Sequence, residues 1–476
     1  MCLWAITALS DKCAYFLILE AVFDMSFESM DFNFYDEAEQ KARYAFELYE
    51  DGKILQALDE INTAIEIDPS NSAWHFNKAL ALDSVNRFED AIKEYETALE
   101  LTPSDMEILN CLAIDYTRTG QYDLAVSTFE HIERIEPKFE PCYCNRIITY
   151  TEMSKHDLAE QMFYLAQQID PDCPLCFYNI GNSLFVRGEY KKAIHCWLKT
   201  AKLEPAHPQI NFRIAQAYWS DGDSDNAQEY FLRELRLNPG DVDVILDFGL
   251  FLLECGEIDS AREKFNRIIE LKPDFAAAFF YLGEIAFRYG DYSSANQFFN
   301  DALEKDKGLI GPRYRLAQCS LINNRIEDAR IYLIAELELE PADANILISM
   351  GSISLSIEDV DLAKHCLLRA VNIDSSNADG YYYLGLCCAA VEQFEEALEF
   401  FGHALDIDPE HVLALKDSAI VYSGLGRTEQ AFERITRALA ICTNDAELKS
   451  IKQKIQSLKT KEKFSETLSK FKSSLK

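Results

Sequence analysis

The apolar positions of this chain follow a fixed period of 34 residues between residues 38 and 445. A large apolar residue lies four residues after an alanine in every period, and a fixed period of this length indicates a repeat architecture. The alanine returns twelve times without a slip, at Ala57, Ala91, Ala125, Ala159, Ala193, Ala227, Ala261, Ala295, Ala329, Ala363, Ala397 and Ala431. The large residues are Ile61, Tyr95, Phe129, Phe163, Trp197, Phe231, Phe265, Phe299, Leu333, Leu367, Phe401 and Ile435.

Each period predicts two helices joined by a turn. Gly or Ala lies twelve residues before the alanine in every period except one, which has Ile147. Two small residues would let the helix backbones approach closely, and the large residue one turn later would fill the adjoining space. Gly, Asp and Asn between the helices predict the turn. Proline predicts the end of the second helix, because it lacks an N–H and restricts the preceding residue. It follows the alanine by twelve residues except where Lys307, Ser375 and Thr443 stand.

The register resembles that of the tetratricopeptide repeat family across residues 38–445. The resemblance is clear where Ala378-Asp379-Gly380-Tyr381-Tyr382-Tyr383-Leu384-Gly385 is followed by Phe394-Glu395-Glu396-Ala397. A generic helical bundle does not explain a strict period over this length, and helix-pair repeats of longer period would lose the register. The predicted fold is all-α, with twelve tandem helix-turn-helix repeats. The resemblance implies a right-handed superhelical solenoid whose first helices line a concave groove.

Two segments flank the repeats. Residues 1–37 are predicted to be an N-terminal leader, part of which is interpreted as a mis-assigned start, with translation beginning at Met25 or Met30. Residues 446–476 contain nine lysines and three glutamates, with apolar residues at helical spacing. This basic amphipathic helix is predicted to cap the array, since terminal repeats need a polar outer face. The alternative is a helix that meets a membrane or a partner.

The charge of the chain narrows the classes of partner. Asp and Glu number 80 against 46 Lys and Arg, for a net charge of −34. Nucleic-acid binders usually have the opposite balance, and an acidic membrane surface would repel this chain. We therefore predict neither partner, and interpret the charge as a means of solubility. Fourteen cysteines in a chain of this length indicate a reducing compartment, and hence a cytoplasmic protein.

The resemblance also implies where a ligand would bind. Groove-facing positions hold aromatic, Asn and Arg side chains, which make good peptide anchors. Three arginines reduce the negative charge there, so an extended, partly acidic peptide is our hypothesis for the guest. The alternative is that several of the aromatic rings pack between neighbouring helices. The predicted binding residues are Phe76, Asn77, Asn110, Asn145, Tyr178, Asn179, Phe212, Arg213, Phe280, Tyr281, Arg288, Tyr314, Arg315, Tyr382 and Tyr383.

Four cysteines are candidates for a metal or redox site. Cys142 and Cys144 begin the first helix of one repeat, and Cys173 and Cys176 begin that of the next. Four thiolates can hold zinc, and a CxxC pair can be redox-active. Helical CxC geometry, however, is poor for one tetrahedral ion. We therefore interpret these residues as small buried hydrophobes, and predict neither metal nor cofactor.

The sequence offers no constellation typical of an enzyme. It contains no HExxH motif, nucleophile elbow or GxxxxGK[ST] phosphate loop. The predicted function is therefore a non-enzymatic scaffold that binds partner proteins or extended peptides. Two alternatives stay open: a regulatory or assembly subunit acting on a separate enzyme in trans, and a self-associating structural array.

Overall fold

A computed structural model describes residues 32–458, which form helices and connecting turns without a strand. The proposed start at Met25 or Met30 and residues 459–476 of the C-terminal segment lie outside the described residues. Twelve helix pairs follow one another along the chain. The first helices are α1 (Phe32–Glu50), α3 (Ser72–Ser84), α5 (Met106–Arg118), α7 (Glu140–Glu152), α9 (Pro174–Val186), α11 (Ile210–Asp221), α13 (Val242–Glu254), α15 (Ala276–Arg288), α17 (Pro312–Ile322), α19 (Ala344–Ser356), α21 (Ala378–Ala390) and α23 (Val412–Gly424). The second helices are α2 (Ile54–Ile67), α4 (Phe88–Leu101), α6 (Tyr122–Ile135), α8 (His156–Ile169), α10 (Tyr190–Leu203), α12 (Ser224–Leu237), α14 (Ile258–Leu271), α16 (Tyr292–Lys305), α18 (Ile326–Leu337), α20 (Val360–Ile373), α22 (Phe394–Ile407) and α24 (Thr428–Ile441).

The predicted all-α fold of twelve tandem helix pairs is confirmed. Helix α1 begins at Phe32, six residues before the first repeat was predicted to start. A further helical segment covers residues 446–458, where Leu448 and Ile455 are buried in one cluster with Ala431, Ile435 and Ala438 of α24. This segment therefore covers the apolar face of the last repeat, as predicted for a cap.

The contact between small and large residues is the core of each pair. All twelve periodic alanines are at most 2% exposed, which confirms that the second helix turns this face inward. A Cβ added to Gly283 would lie 2.5 Å from Cε1 of Phe299, and one added to Gly385 would lie 2.5 Å from Cε1 of Phe401. The large side chain thus packs directly on the backbone of the first helix. Eleven of the twelve large residues are buried, and Phe163 is partly exposed.

The turn within each pair has a left-handed residue five positions before the alanine. Glycine adopts this conformation without a steric penalty, but five periods use Asn, Ser or Glu instead. The twelve residues are Gly52, Asn86, Gly120, Ser154, Gly188, Gly222, Gly256, Gly290, Asn324, Glu358, Glu392 and Gly426.

Proline marks the end of the second helix but is not required for it. Helix α2 ends at Ile67, two residues before Pro69. Helices α16, α20 and α24 end at the equivalent position, although Lys307, Ser375 and Thr443 replace proline there. The end of these helices is therefore set by the repeat packing as well as by proline.

The ninth pair departs from the others. Helix α18 ends at Leu337, four residues before Pro341, and Gly311 precedes α17 with a φ of 117°. The carboxylate of Glu336 on α18 is buried and accepts hydrogen bonds from the N–H groups of Gly311 and Arg313. This side chain satisfies donors at the start of α17, where no residue caps the helix in the usual way.

The described residues fall into two compact units, which are divided between Val244 and Ile245 inside α13. Within residues 32–458, no helix combines the length and apolar character needed to cross a membrane.

Candidate binding face and cysteine cluster

First helices of several consecutive repeats adjoin one another within each unit, as α5, α7 and α9 do in the first unit and α17, α19 and α21 do in the second. Within a unit, side chains 34 or 35 residues apart can therefore meet along one face. We call the predicted binding residues of each unit its first-helix face: those from Phe76 to Arg213 in the first unit, and those from Phe280 to Tyr383 in the second. Asn145 Nδ2 donates to Asn110 Oδ1 at 3.1 Å. Asn179 Nδ2 donates to the carbonyl oxygen of Cys144 at 3.0 Å. These two amides thus link the fourth repeat to the third and the fifth repeat to the fourth.

Four of the predicted aromatic residues lie inside the helix packing. Tyr178, Phe212, Tyr314 and Tyr382 are buried. The Tyr178 ring lies 4.4 Å from the ring of His207, measured between centroids. The burial of these four rings favours the alternative interpretation, in which several aromatic residues pack between neighbouring helices.

Four other predicted aromatic residues are partly exposed. Phe76, Phe280, Tyr281 and Tyr383 each keep part of the side chain accessible. Tyr281 stacks on Phe265 with the centroids 5.3 Å apart. These residues combine a supported ring with an accessible surface, which is the arrangement that an aromatic anchor needs.

Tyr382 also has a polar partner that the sequence did not reveal. Its hydroxyl donates to Asp417 Oδ2 at 2.8 Å, joining α21 to α23. Burial raises the pKa of Tyr382 and also raises the pKa of Asp417. The pair therefore links adjacent repeats and leaves the tyrosine hydroxyl occupied.

The three predicted arginines are placed differently. Arg315 Nε and Nη2 donate to the two carboxylate oxygens of Glu284 at 2.5 Å and 2.6 Å, so its charge is neutralised locally. Arg213 Nη1 donates to Gln216 Oε1 at 3.3 Å, and its Nε is buried with no hydrogen-bond partner among the described residues. Arg288 is exposed in the last turn of α15. The structure thus brings only Arg315 against a carboxylate.

Two predicted asparagines line pockets. Asn145 Oδ1 is buried and has no hydrogen-bond partner among the described residues, beside a small pocket lined by Ile114, Thr117 and Ile148. Asn77 lines a largely apolar pocket with Tyr49 and other residues of α1, α2 and α3. The first-helix face of the first unit therefore offers polar groups next to concave surface.

Three of the four candidate cysteines lie close together, and the fourth does not. Sulfur atoms of Cys144, Cys173 and Cys176 and a carboxylate oxygen of Glu140 all lie within 4.8 Å of one another. The thiol of Cys142 instead donates to the carbonyl oxygen of Phe129 at 3.2 Å. Residues two apart on a helix point in different directions, whereas those four apart share a face. Glu140 and Cys144 therefore meet, and Cys142 is excluded.

Glu140 was missed in the sequence because only cysteines were considered. The signal that identifies it is its spacing of four from Cys144 at the start of α7. Burial raises the pKa of Glu140 to about 7. Hydrogen bonds from the thiols of Cys144 and Cys176 lower the pKa of Cys173, and burial raises that of Cys144. The three thiols and the carboxyl group are therefore close enough for each to influence the protonation of the others.

Family models match most of the described chain. Models of the tetratricopeptide repeat match residues 178–242, 246–309 and 376–444. A model of the Psidin N-terminal TPR repeats region matches residues 39–180.

Two human proteins are similar over about a quarter of this chain. Protein O-mannosyl-transferase TMTC3 of Homo sapiens is 31% identical over 118 residues, which are 25% of this chain and 13% of that protein. Cilia- and flagella-associated protein 70 of Homo sapiens is 26% identical over 121 residues, 25% of this chain and 11% of that protein. The matched segments are thus small parts of both relatives.

Solved structures with tandem helices are also similar. The Cut9-Hcn1 hetero-tetramer of the APC/C is 14% identical with a TM-score of 0.44, covering 88% of this chain and 96% of that chain. Yeast Tom70 is 15% identical with a TM-score of 0.41, covering 90% of this chain and 96% of that chain.

Proposed function

The chain belongs to the tetratricopeptide repeat family, and we propose that it is a non-enzymatic scaffold that binds partner proteins or extended peptides on its first-helix face. A repeat array presents an extended preformed surface, so the cost of ordering falls mainly on the guest. We place it in the cytoplasm, a proposal supported by the twelve cysteines of the described residues, all of which are free thiols.

One observation carries the proposal: on the first-helix face of the first unit, two side-chain atoms have no hydrogen-bond partner among the described residues. Asn145 Oδ1 is an acceptor and Arg213 Nε is a donor, and both are buried without a hydrogen bond among the described residues. An unsatisfied buried polar group costs free energy that a ligand recovers by pairing with it. An extended peptide backbone supplies both N–H donors and C=O acceptors.

The structure restricts the part of the bound peptide that we expect to be acidic. We propose that Arg213 meets an acidic side chain or a carbonyl of the peptide. Arg315 contributes less, because Glu284 already occupies its guanidinium. We therefore propose acidic character only for the part of the peptide that contacts α11.

Affinity purification from the native cell tests the proposal. The wild-type chain is compared with Arg213→Ala and with Arg134→Ala, a control that removes an exposed arginine from α6. We expect Arg213→Ala to lose partners that Arg134→Ala retains, with both variants keeping the wild-type circular dichroism. Equal partner sets in all three samples would place binding on another surface.

Self-association is a second candidate function, and one observation favours it. Side chains of Ile322, Ile326, Ile331 and Ile334, at the end of α17 and on α18, are 44–63% exposed. Exposed large apolar side chains are common at protein contacts. Sedimentation at several concentrations tests this, with Ile331→Lys as the variant expected to dissociate an assembly. A monomer at all concentrations would exclude self-association.

A regulatory subunit acting in trans would appear as an enzyme among the purified partners.

A further inference from the structure

We propose that Glu140, Cys144, Cys173 and Cys176 bind one zinc ion that joins α7 to α9. The proposal does not rest on partner binding, because its observations concern the contact between the fourth and fifth repeats. It also replaces our sequence interpretation, in which the four cysteines were small buried hydrophobes.

The ligand atoms are already close to the separation that zinc requires. Three sulfur atoms and one carboxylate oxygen lie within 4.8 Å of one another. A tetrahedral ion with Zn–S bonds of about 2.3 Å places its sulfur ligands roughly 3.8 Å apart. The distance from Cys176 Sγ to Glu140 Oε1 is 2.8 Å. Small rotations of these side chains therefore suffice to enclose the ion.

The residue types select the metal. Thiolates favour Zn²⁺, Cu(I) and iron–sulfur clusters over the hard cations Mg²⁺ and Ca²⁺. Four protein ligands in a closed set are typical of structural zinc, which leaves no open position for catalysis. The spacing Cys173-x-x-Cys176 is also one that zinc sites use.

Hydrogen bonds orient two of the sulfur atoms. The backbone N–H of Cys176 donates to Cys173 Sγ at 3.4 Å, and Asn179 Nδ2 donates to Cys144 Sγ at 3.5 Å. N–H donors of this kind hold metal ligands in position and stabilise their negative charge. Asn179 thus has a place beside the cluster as well as on the first-helix face.

The position of the cluster in the fold favours anionic ligands. Glu140 is the first residue of α7, and Cys173 is the N-cap of α9. The positive ends of both helix dipoles therefore lie next to the cluster. Cys144, Cys173 and Cys176 are buried, so an ion held here would be shielded from competing water.

The metal content of the full chain, purified without chelator, is the first test. We expect one zinc ion per chain by elemental analysis, and the same stoichiometry for Cys142→Ser. That variant is the matched control, because Cys142 is a buried cysteine of the same helix and its hydroxyl replacement can still donate to Phe129. Cys173→Ser and Cys176→Ser are expected to lose the zinc. Metal-free wild-type protein that also fails to take up added zinc would overturn the proposal, as would retention of zinc in Cys173→Ser.

Cobalt substitution tests the zinc site in the wild-type chain, so it applies even where a cysteine variant fails to fold. The wild-type chain loaded with Co²⁺ should show intense visible d–d bands and sulfur-to-cobalt charge-transfer bands, the signature of tetrahedral thiolate coordination. Glu140→Gln should alter those bands without abolishing them. A wild-type spectrum typical of octahedral Co²⁺ would contradict the site. A disulfide among these cysteines, found by mass spectrometry in protein purified from cells with a reducing cytoplasm, would also contradict the zinc site. It would assign the cluster to redox chemistry instead.

Discussion

Ile147 takes the place of the Phe163 ring in the core of the fourth repeat. Ile147 is fully buried at the position where the other repeats have Gly or Ala, and Phe163 is partly exposed at the position where the other large residues are buried. The Phe163 ring instead packs edge-on against Phe177, with the centroids 5.4 Å apart. Since Ile147 fills the space between the helices, no room is left there for a phenylalanine ring.

The different burial of equivalent phenylalanines predicts that truncating them lowers the free energy of unfolding by different amounts. Phe129→Ala, in the preceding repeat, removes a fully buried ring and should lower the free energy of unfolding by about 4 kcal/mol. Phe163→Ala should cost about 1 kcal/mol, because the ring is partly solvated already. Thermal unfolding of both variants measures the difference. Equal losses would show that Phe163 contributes to the core after all.

Adding a methyl group at two different glycines should change the stability in opposite directions. Gly283→Ala adds a Cβ 2.5 Å from Phe299, so overpacking should destabilise the array by roughly 1–3 kcal/mol. Gly402→Ala, in α22, adds a Cβ with no atom within 4 Å and should stabilise by about 1 kcal/mol, because Ala favours a helix. Melting temperatures that shift in the same direction for both variants would contradict the helix contact described here.

The turns predict a stabilising substitution. Glu392 has a φ of 62° at the position where seven repeats use glycine. Glu392→Gly should raise the melting temperature, since a left-handed conformation costs a non-glycine residue about 1 kcal/mol. Glu392→Ala is the control for loss of the side chain and should not stabilise. A gain in the alanine variant equal to that of glycine would attribute the effect to charge instead of backbone conformation.

A buried carboxyl group predicts a dependence of stability on pH. Burial raises the pKa of Asp115, and the nearby Asp83 raises it further, although Arg118 Nη1 contacts both carboxylates and donates to Asp115 Oδ1 at 3.0 Å. A carboxyl group with a higher pKa in the folded state binds its proton more tightly when folded. The free energy of unfolding should therefore fall as pH rises from about 4, where the unfolded group titrates, to the folded pKa.

The variant Asp115→Asn checks this dependence. It removes one titrating group while preserving the shape of the side chain, so its melting temperature should fall less between pH 5 and pH 8 than that of the wild type, in the range set by the raised pKa. Parallel curves for wild type and variant would show that Asp115 does not titrate in that range.

The repeat pattern predicted the backbone better than it predicted the site. The alanine register gave the helix pairs correctly because the contact between small and large residues recurs in each period. The sequence did not identify the partners of Tyr382 and Arg315, which are Asp417 and Glu284. Those contacts join residues of adjacent repeats, and a period cannot tell which of several carboxylates a side chain will reach. Glu140 was missed for a different reason: only cysteines were considered as ligands, although its spacing of four from Cys144 on α7 carried the signal.

Site-specific photo-crosslinking tests the central claim, binding on the first-helix face, most directly. A photoreactive residue is placed at Asn110, which is partly exposed on α5, or at Tyr164, which is 61% exposed on the second helix α8. In the native cell, binding on the first-helix face predicts partner crosslinks from position 110 and none from position 164. Crosslinks from position 164 alone would contradict it and place binding on the second helices.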